Sequence, residues 1–301
     1  MPELPDIVVY LDALARHLTG KTLRKVRVVN PFLVRTYDPP LDESHDKTIR
    51  GFRRLGKRII FELESELFLV LHLMIAGRLH WKPVGAKLPG KIGLALFEFD
   101  HGTLTLTEAG TKRRASLHVV RGEGSLAVHQ PGGLEVLDAK PPEFRQVLSG
   151  HNHTLKRALT DPHLFSGIGN SYSDEILHRA RLSPLTWTTR LTDEESERLF
   201  NATHEVLNEW TTRLKAEVGD GFPAKVTAFR KEMAVHGRFE LPCPVCATKV
   251  QRIVYAENET NYCPRCQTGG KVLADRGLSR LLKGDWPKTI EELEEIKRGR
   301  S

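Results

Sequence analysis

The sequence predicts an α+β protein of two domains, an N-terminal β-sandwich with flanking helices and a C-terminal helical domain that carries a four-cysteine zinc ribbon. Three observations predict it. The 301 residues suit two domains at roughly 150 residues each. One amphipathic helix is followed by many short β-type runs up to residue 137, the pattern of a sandwich or barrel rather than of an alternating parallel sheet. Beyond the Pro- and Gly-rich stretch at 131–144 the apolar period becomes helical, and all four cysteines fall within 24 residues near the C-terminus.

The elements follow in order. Asp6 is expected to cap a helix whose apolar residues Val9, Leu11, Leu14, Ala15 and Leu18 recur at helical spacing, with Gly20 stopping it. Six runs then read as strands: LRKVRVV, RIIFEL, LFLVLHL, LALFEFD, TLTLT and ASLHVV. Helical spacing returns in EFRQVLSG, in the stretch LKRALTDPHLFSGIGNSYSDEILHRARLSP, and from Asp193 to Glu217, opened by Thr192 as a cap. The expected boundaries are 1–138, 139–236, 237–283 for the zinc subdomain, and 284–301 for a charged tail that is one exposed helix or disorder.

Composition excludes several classes. Hydrophobic residues at 40% and charged residues at 28% fit neither wholesale disorder nor a membrane protein. No apolar run approaches the roughly 20 residues of a membrane helix, and MPELPDIVVY has none of the basic-then-apolar pattern of an export signal. A cytoplasmic protein is expected, with no membrane partner. A net charge of +7 suits a polyanion such as nucleic acid.

Cys243-x2-Cys246, sixteen residues, then Cys263-x2-Cys266 is the spacing of a four-thiolate zinc site on two knuckles, with no coordination position left open. One structural Zn2+ is expected. In Phe165-Ser-Gly-Ile-Gly-Asn170 a glycine-rich entry precedes a helix; N–H groups at such a helix start attract phosphate, with Asn170 as both cap and phosphate ligand. Lys156 and Arg157 lie one helix upstream.

The opening Pro2-Glu3-Leu4-Pro5-Asp6, the GIGN element and the paired CxxC turns occur in an order that resembles the formamidopyrimidine-DNA glycosylase and endonuclease VIII (Fpg/Nei) family, over residues 2 to about 283. The resemblance implies a helix–two-turn–helix DNA-binding domain at 139–236. It also implies a bifunctional DNA glycosylase and abasic-site lyase of base excision repair, bacterial-type and nucleoid-associated, that acts on damaged double-stranded DNA. A monomer suffices for that mechanism.

Within the resemblance, removal of Met1 frees the secondary amine of Pro2. An α-amine titrates near 7.7 to 8.0, so part of it is neutral and nucleophilic at pH 7. Attack at the sugar C1′ expels the base and leaves an iminium that permits β-elimination, with β,δ-elimination as the further step. Glu3 resembles the general acid and base, and Asp6 stands where many members carry Glu. Lys57, in Leu55-Gly56-Lys57-Arg58, matches a hairpin tip that contacts phosphate near the lesion and assists catalysis.

Three stretches depart from the family. In His72-Leu73-Met74-Ile75-Ala76-Gly77, Ile75 replaces the usual wedge methionine and Met74 stands one position earlier; either can enter the stack, and His72 lies near the DNA backbone. Between Glu108 and Ser116 no phenylalanine remains, leaving Arg113 or Arg114 to face the orphaned base. Asn258 occupies the zinc-hairpin position of a phosphate-gripping arginine, with Arg252 or Arg265 as substitutes unless the hairpin touches DNA differently. The rival reading is a catalytically diminished protein that binds DNA lesions or abasic sites on the same scaffold. An RNA-binding zinc-ribbon protein is disfavoured, because the β segments lack an aromatic stacking cluster.

Overall fold

The computed structural model describes residues 1–110, 112–255, 258–274 and 286–298. The chain packs as two units, Met1–Pro131 with Glu209–Ala228, and Gly132–Asn208 with Phe229–Ser301. Among the described residues no helix is long and apolar enough to cross a membrane.

The first unit opens with α1 (Leu4–Leu18). Its N-cap is Glu3 rather than the expected Asp6, because Asp6 sits at the third helical position and the two residues form a capping box. Pro5 is tolerated in this first turn, where its missing N–H would have no partner in the helix. Strands β1 (Thr22–Leu23), β3 (Lys47–Leu55), β4 (Arg58–Leu63), β5 (Leu67–His72) and β9 (Ser116–Arg121) form one sheet in the order β1-β3-β4-β5-β9. Strands β2 (Lys25–Val28), β7 (Gly93–Phe99), β8 (Gly102–Glu108) and β6 (Gly77–Lys82) form the other, in the order β2-β7-β8-β6. Every pairing is antiparallel. One core joins them: Phe61, Leu69, Leu71 and Leu117 from the first sheet meet Leu79, Phe97, Leu104 and Leu106 from the second and Ile7, Tyr10 and Leu14 of α1. Full burial of each such side chain contributes about 2 kcal/mol.

All six expected runs are strands, and two more join them. Lys47–Leu55 and Gly77–Lys82 escape the apolar pattern because charged and histidine side chains fill their outward positions. Residues 209–228, contiguous in sequence with the helical region, pack against the sandwich. Phe222 lies 6.0 Å from the Tyr10 ring, and Arg16 donates to the carbonyls of Gly219 and Gly221 at 2.9 and 3.3 Å.

In the second unit α2 (Pro141–Ser149), α3 (Leu155–Thr160) and α4 (Asn170–Arg179) precede α5 (Asp193–Val218). Thr192 and Glu195 exchange hydrogen bonds of 3.2 and 3.0 Å at the start of α5, as a capping box should. The antiparallel hairpin β10 (Gln251–Tyr255) and β11 (Asn258–Tyr262) leads to α6 (Pro264–Thr268). In the tail, α7 (Ile290–Arg298) is a helix; residues 275–285 lie outside the described residues.

Gly77 closes a tight turn in the sandwich. A Cβ there would sit 2.2 Å from the Leu73 carbonyl oxygen, whose bond to the Gly77 N–H closes the turn at 2.9 Å. Gly77→Ala is expected to lower the urea midpoint by the equivalent of about 2 kcal/mol, read by equilibrium unfolding.

Candidate active site and metal centre

The start of the chain is buried. Pro2 and Glu3 are both enclosed, Glu3 at 2% exposure, and the Glu3 N–H donates to Asp6 Oδ2 at 3.0 Å. Burial holds the Met1 α-amine below its ordinary value of 8.0; Glu3 and Asp6 oppose this, and Arg78 and Lys57 add to it. The charges of Glu3, Asp6, Lys57 and Arg78 therefore all act on the first atoms of the chain.

Each has its own support. Lys57 sits with Gly56 in the two-residue turn between β3 and β4, where Gly56 takes φ +60°, and Arg54 donates to the Gly56 carbonyl at 2.9 Å. Arg78, for which no spacing in the sequence gave a signal, is clamped by the carbonyls of Val226 at 2.6 Å and Gly77 at 2.7 Å. The turn before it splits the two candidate wedges: Ile75 is 55% exposed, whereas Met74 is half-buried and holds φ +53°. His72, at the end of β5, pairs with Arg58 across one strand gap and with Ser116 across the other. Burial, Arg58 and Lys57 lower its pKa to about 4.

Arg113 and Arg114 are both exposed on a loop organised by a residue the motifs did not flag. Glu108, 1% exposed, accepts the N–H groups of Arg114 and Ala115 at 3.0 Å each. Arg113 donates to the Lys91 carbonyl, and the Arg114 side chain is left facing outward.

In the second unit Lys156 and Asn170 are brought together, but not as open phosphate ligands. The cap of α4 is Gly169 in extended backbone, so Asn170 is the first helical residue rather than the cap. Lys156 Nζ donates to the Asn170 carbonyl at 2.7 Å, to Ser173 Oγ at 2.9 Å and to Asp174 Oδ1 at 2.5 Å. An ammonium has three donors, and all three are used. The Asn170 side-chain amide donates to the Glu259 carbonyl on β11 at 3.0 Å.

This arrangement follows from α4 being buried almost all round, from Ser171 to His178. Asp174 and Glu175 need partners there. Asp174 Oδ2 receives His236 Nδ1 at 2.8 Å and the Asn261 N–H at 3.1 Å. Glu175 receives the N–H groups of Ala234, Val235 and His236 at 2.7, 2.9 and 2.9 Å. Two adjacent acids within an otherwise apolar helical pattern were the available sign of this hub.

The hub leads into the cysteine cluster. The Sγ atoms of Cys243, Cys246, Cys263 and Cys266 all lie within 4.8 Å of one another, with separations of 3.9 Å for Cys243–Cys266 and 3.4 Å for both Cys246–Cys263 and Cys246–Cys266. Zn–S bonds of about 2.3 Å in a tetrahedron put sulfurs about 3.8 Å apart, so the set fits one structural zinc and is too open for disulfides. His178 Nε2 lies 3.3 Å from Cys243 Sγ, where an imidazole N–H orients a ligating sulfur. The hairpin's alternative cations are engaged: Arg252 with Glu259 at 3.2 Å and Arg265 with Glu291 at 3.7 Å. The Asn258 side chain and the neighbouring 256–257 lie outside the described residues.

The buried cluster around the metal ligands has only Val235, Cys243, Val250 and Cys263 at its centre, too little apolar surface to hold without the metal. Strong chelation is expected to remove one zinc per chain and make 237–271 protease-sensitive, with the sandwich's urea midpoint unchanged. Elemental analysis and limited proteolysis check this.

Comparison with known proteins agrees with this geometry. Residues 1–126 match the formamidopyrimidine-DNA glycosylase N-terminal domain, 135–218 the H2TH domain of the same glycosylase, and 240–269 the zinc finger found in FPG and IleRS. The formamidopyrimidine-DNA glycosylase of Thermus thermophilus is 34% identical over 90% of this chain and 100% of its own length; that of Heliobacterium modesticaldum is 33% identical over 89% and 100%. A crystal structure of the Lactococcus lactis enzyme bound non-covalently to DNA containing an AP site superposes with a TM-score of 0.77 at 24% identity, covering 88% of this chain and 99% of that one. With full-length relatives at this identity and all three domains in order, the chain belongs to the formamidopyrimidine-DNA glycosylase family.

Proposed function

We propose that this protein is a bifunctional DNA glycosylase and abasic-site lyase of base excision repair, with the Pro2 amine as nucleophile and Glu3 as general acid and base. One observation carries the reading: Pro2 and Glu3 are buried at the start of α1, where Lys57 and Arg78 act on the chain's first amine. Once Met1 is removed, the Pro2 nitrogen becomes a secondary amine in that same enclosed position. Burial favours its neutral, nucleophilic form. Its lone pair attacks C1′ and the damaged base leaves with the glycosidic electrons. The nitrogen then gives up its one proton, and Glu3 protonates the ring oxygen as the C1′–O4′ bond breaks and the sugar opens. The resulting iminium is positively charged because a secondary amine has no second hydrogen to lose. It acidifies C2′, Glu3 moves the proton, and the 3′-phosphate departs by β-elimination.

Lys57, on a rigid two-residue turn, supports phosphate binding beside the reacting sugar. Ile75, the exposed member of its turn, is the better fit for a wedge that fills the space of an extruded base, whose removal costs a few kcal/mol. The exposure of Arg114 supports a contact with the opposite strand's unpaired base. Oxidised bases are the expected substrates, and damaged double-stranded DNA the partner. Lys156 and Asn170 support DNA binding indirectly, by fixing α4 against the zinc hairpin.

Three outcomes are expected. Glu3→Gln should slow single-turnover cleavage of abasic duplex by about 100-fold or more while retaining most of the binding, and Pro2→Gly should abolish it; parent-like cleavage by either variant would contradict the assigned roles and favour lesion binding alone. The rising limb of the parent's rate against pH should have its midpoint below the pKa of an exposed N-terminal proline amine, since burial disfavours the charged form and the neutral amine accumulates above the lowered value. Ile75→Ala should reduce base excision from duplex at least tenfold, against less than threefold for Met74→Ala, each in ~1.4 kcal/mol-per-decade terms, measured by single-turnover kinetics.

A further inference from the structure

The outer face of the five-stranded sheet, turned away from the sandwich core, is divided into three zones. In the middle, Ile60, Phe68, Val70 and Val120 pack beneath Leu126 of the short helical turn Glu123–His129. At one end Arg53 binds both carboxylates of this face, Glu62 at 2.9 Å and Glu123. At the other end stand Arg58 on β4, His72 directly opposite it on β5, and His118 on β9, opposite Val70 and so diagonal to His72. His129 completes the group, its ring 4.6 Å from that of His118. Arg35 and Lys57 flank it and act on His118 and His72 respectively.

Among the described residues, every charged group that acts on a member of this group is a cation or a histidine. Arg58 is half-buried, with only burial shifting it; it stays charged at every physiological pH. His72 Nε2 is buried without a hydrogen-bond partner among the described residues. The other neighbours on this end, Leu55 and Ser116, do not ionise. A half-buried guanidinium with no counter-ion among the described residues, beside an imidazole whose buried Nε2 has no partner there, is costly for the fold alone and complementary to an oxyanion.

We propose that Arg58, His118 and His129, beside His72, form a phosphate-binding site on the outer face of this sheet. Its ligand chemistry is a phosphate oxyanion, either a backbone phosphate of DNA or free phosphate; only the DNA case rests on the function proposed above. Binding is coupled to protonation. Burial first, then the neighbouring cations, lower His72 and His118 to about 4 and lower His129, so the imidazoles are neutral in the free site at pH 7. An anion raises those values. The complex then holds more protons than the free site, and affinity rises as pH falls from the bound-state values towards about 4.

The test follows the histidine side-chain resonances of the zinc-loaded chain by NMR during titration with inorganic phosphate. Saturable shifts of His118 and His129 are expected, with affinity at least about threefold tighter at pH 5.5 than at pH 7.5 and lost in Arg58→Gln. Absence of a saturable shift in the parent, a shift undiminished in Arg58→Gln, or a pH-independent affinity would overturn the site. If Arg58→Gln does not fold, His118→Gln/His129→Gln read at His72 carries the same comparison. Undamaged duplex then separates the sources. A salt-dependence slope smaller by about 0.9 in Arg58→Gln assigns one DNA phosphate to the site, and an unchanged slope assigns it to free phosphate. Borohydride trapping of the parent on saturating abasic duplex separates the two readings: absence of an adduct there counts against the lyase reading and not against this site.

Discussion

Burial of the first turn of α1 is the constraint on which the first unit's chemistry depends. Leu4, Ile7, Tyr10 and Leu14 enter the core shared by both sheets, and that anchors the residues before them to within a turn of helix. The N–H groups of a buried helix start need acceptors, and the Glu3–Asp6 capping box supplies them. The carboxylate that satisfies the helix is therefore the one held beside the proposed nucleophile. Within a turn of helix the proposed nucleophile and acid are tied to the core, so their geometry is set when the domain folds, as preorganised catalysis requires.

The second unit solves a different problem. Its helix α4 is enclosed on nearly every side, so its polar residues cannot be left to water. Asp174 gathers Lys156, His236 and Asn261, Glu175 gathers three successive N–H groups, and His178 reaches a cysteine of the metal cluster. A buried polar network in which both carboxylates are paired rigidifies. It ties α3, α4, the segment at 234–236 and the zinc hairpin into one piece, at the expense of Lys156 as a free cation.

Much of this was legible in the sequence. Alternation revealed the strands whose inward faces are apolar, and cysteine spacing revealed the metal site, because both are local and periodic. Lys47–Leu55 was hidden by outward charges, and the return of 209–228 to the sandwich was hidden because packing of Phe222 on Tyr10 joins residues far apart in the chain. Motif singled out Pro2, Glu3 and Lys57 as candidates, whereas Arg78 and Glu108 gave no signal: each is bonded to backbone groups, which carry no sequence signature. Residue type suggested phosphate contacts for Lys156 and Asn170; only the partners around them showed that the Lys156 ammonium and the Asn170 amide nitrogen are already hydrogen-bonded within the protein.

The account's central claim is that a buried secondary amine at Pro2 forms the covalent bond to DNA. Borohydride reduction of the Met1-processed, zinc-loaded protein on a duplex with one abasic site, followed by peptide mass mapping, tests it most directly. The account predicts a stable adduct on the N-terminal peptide, with the added mass on Pro2. An adduct on a lysine, or none from protein that binds the duplex, would contradict it.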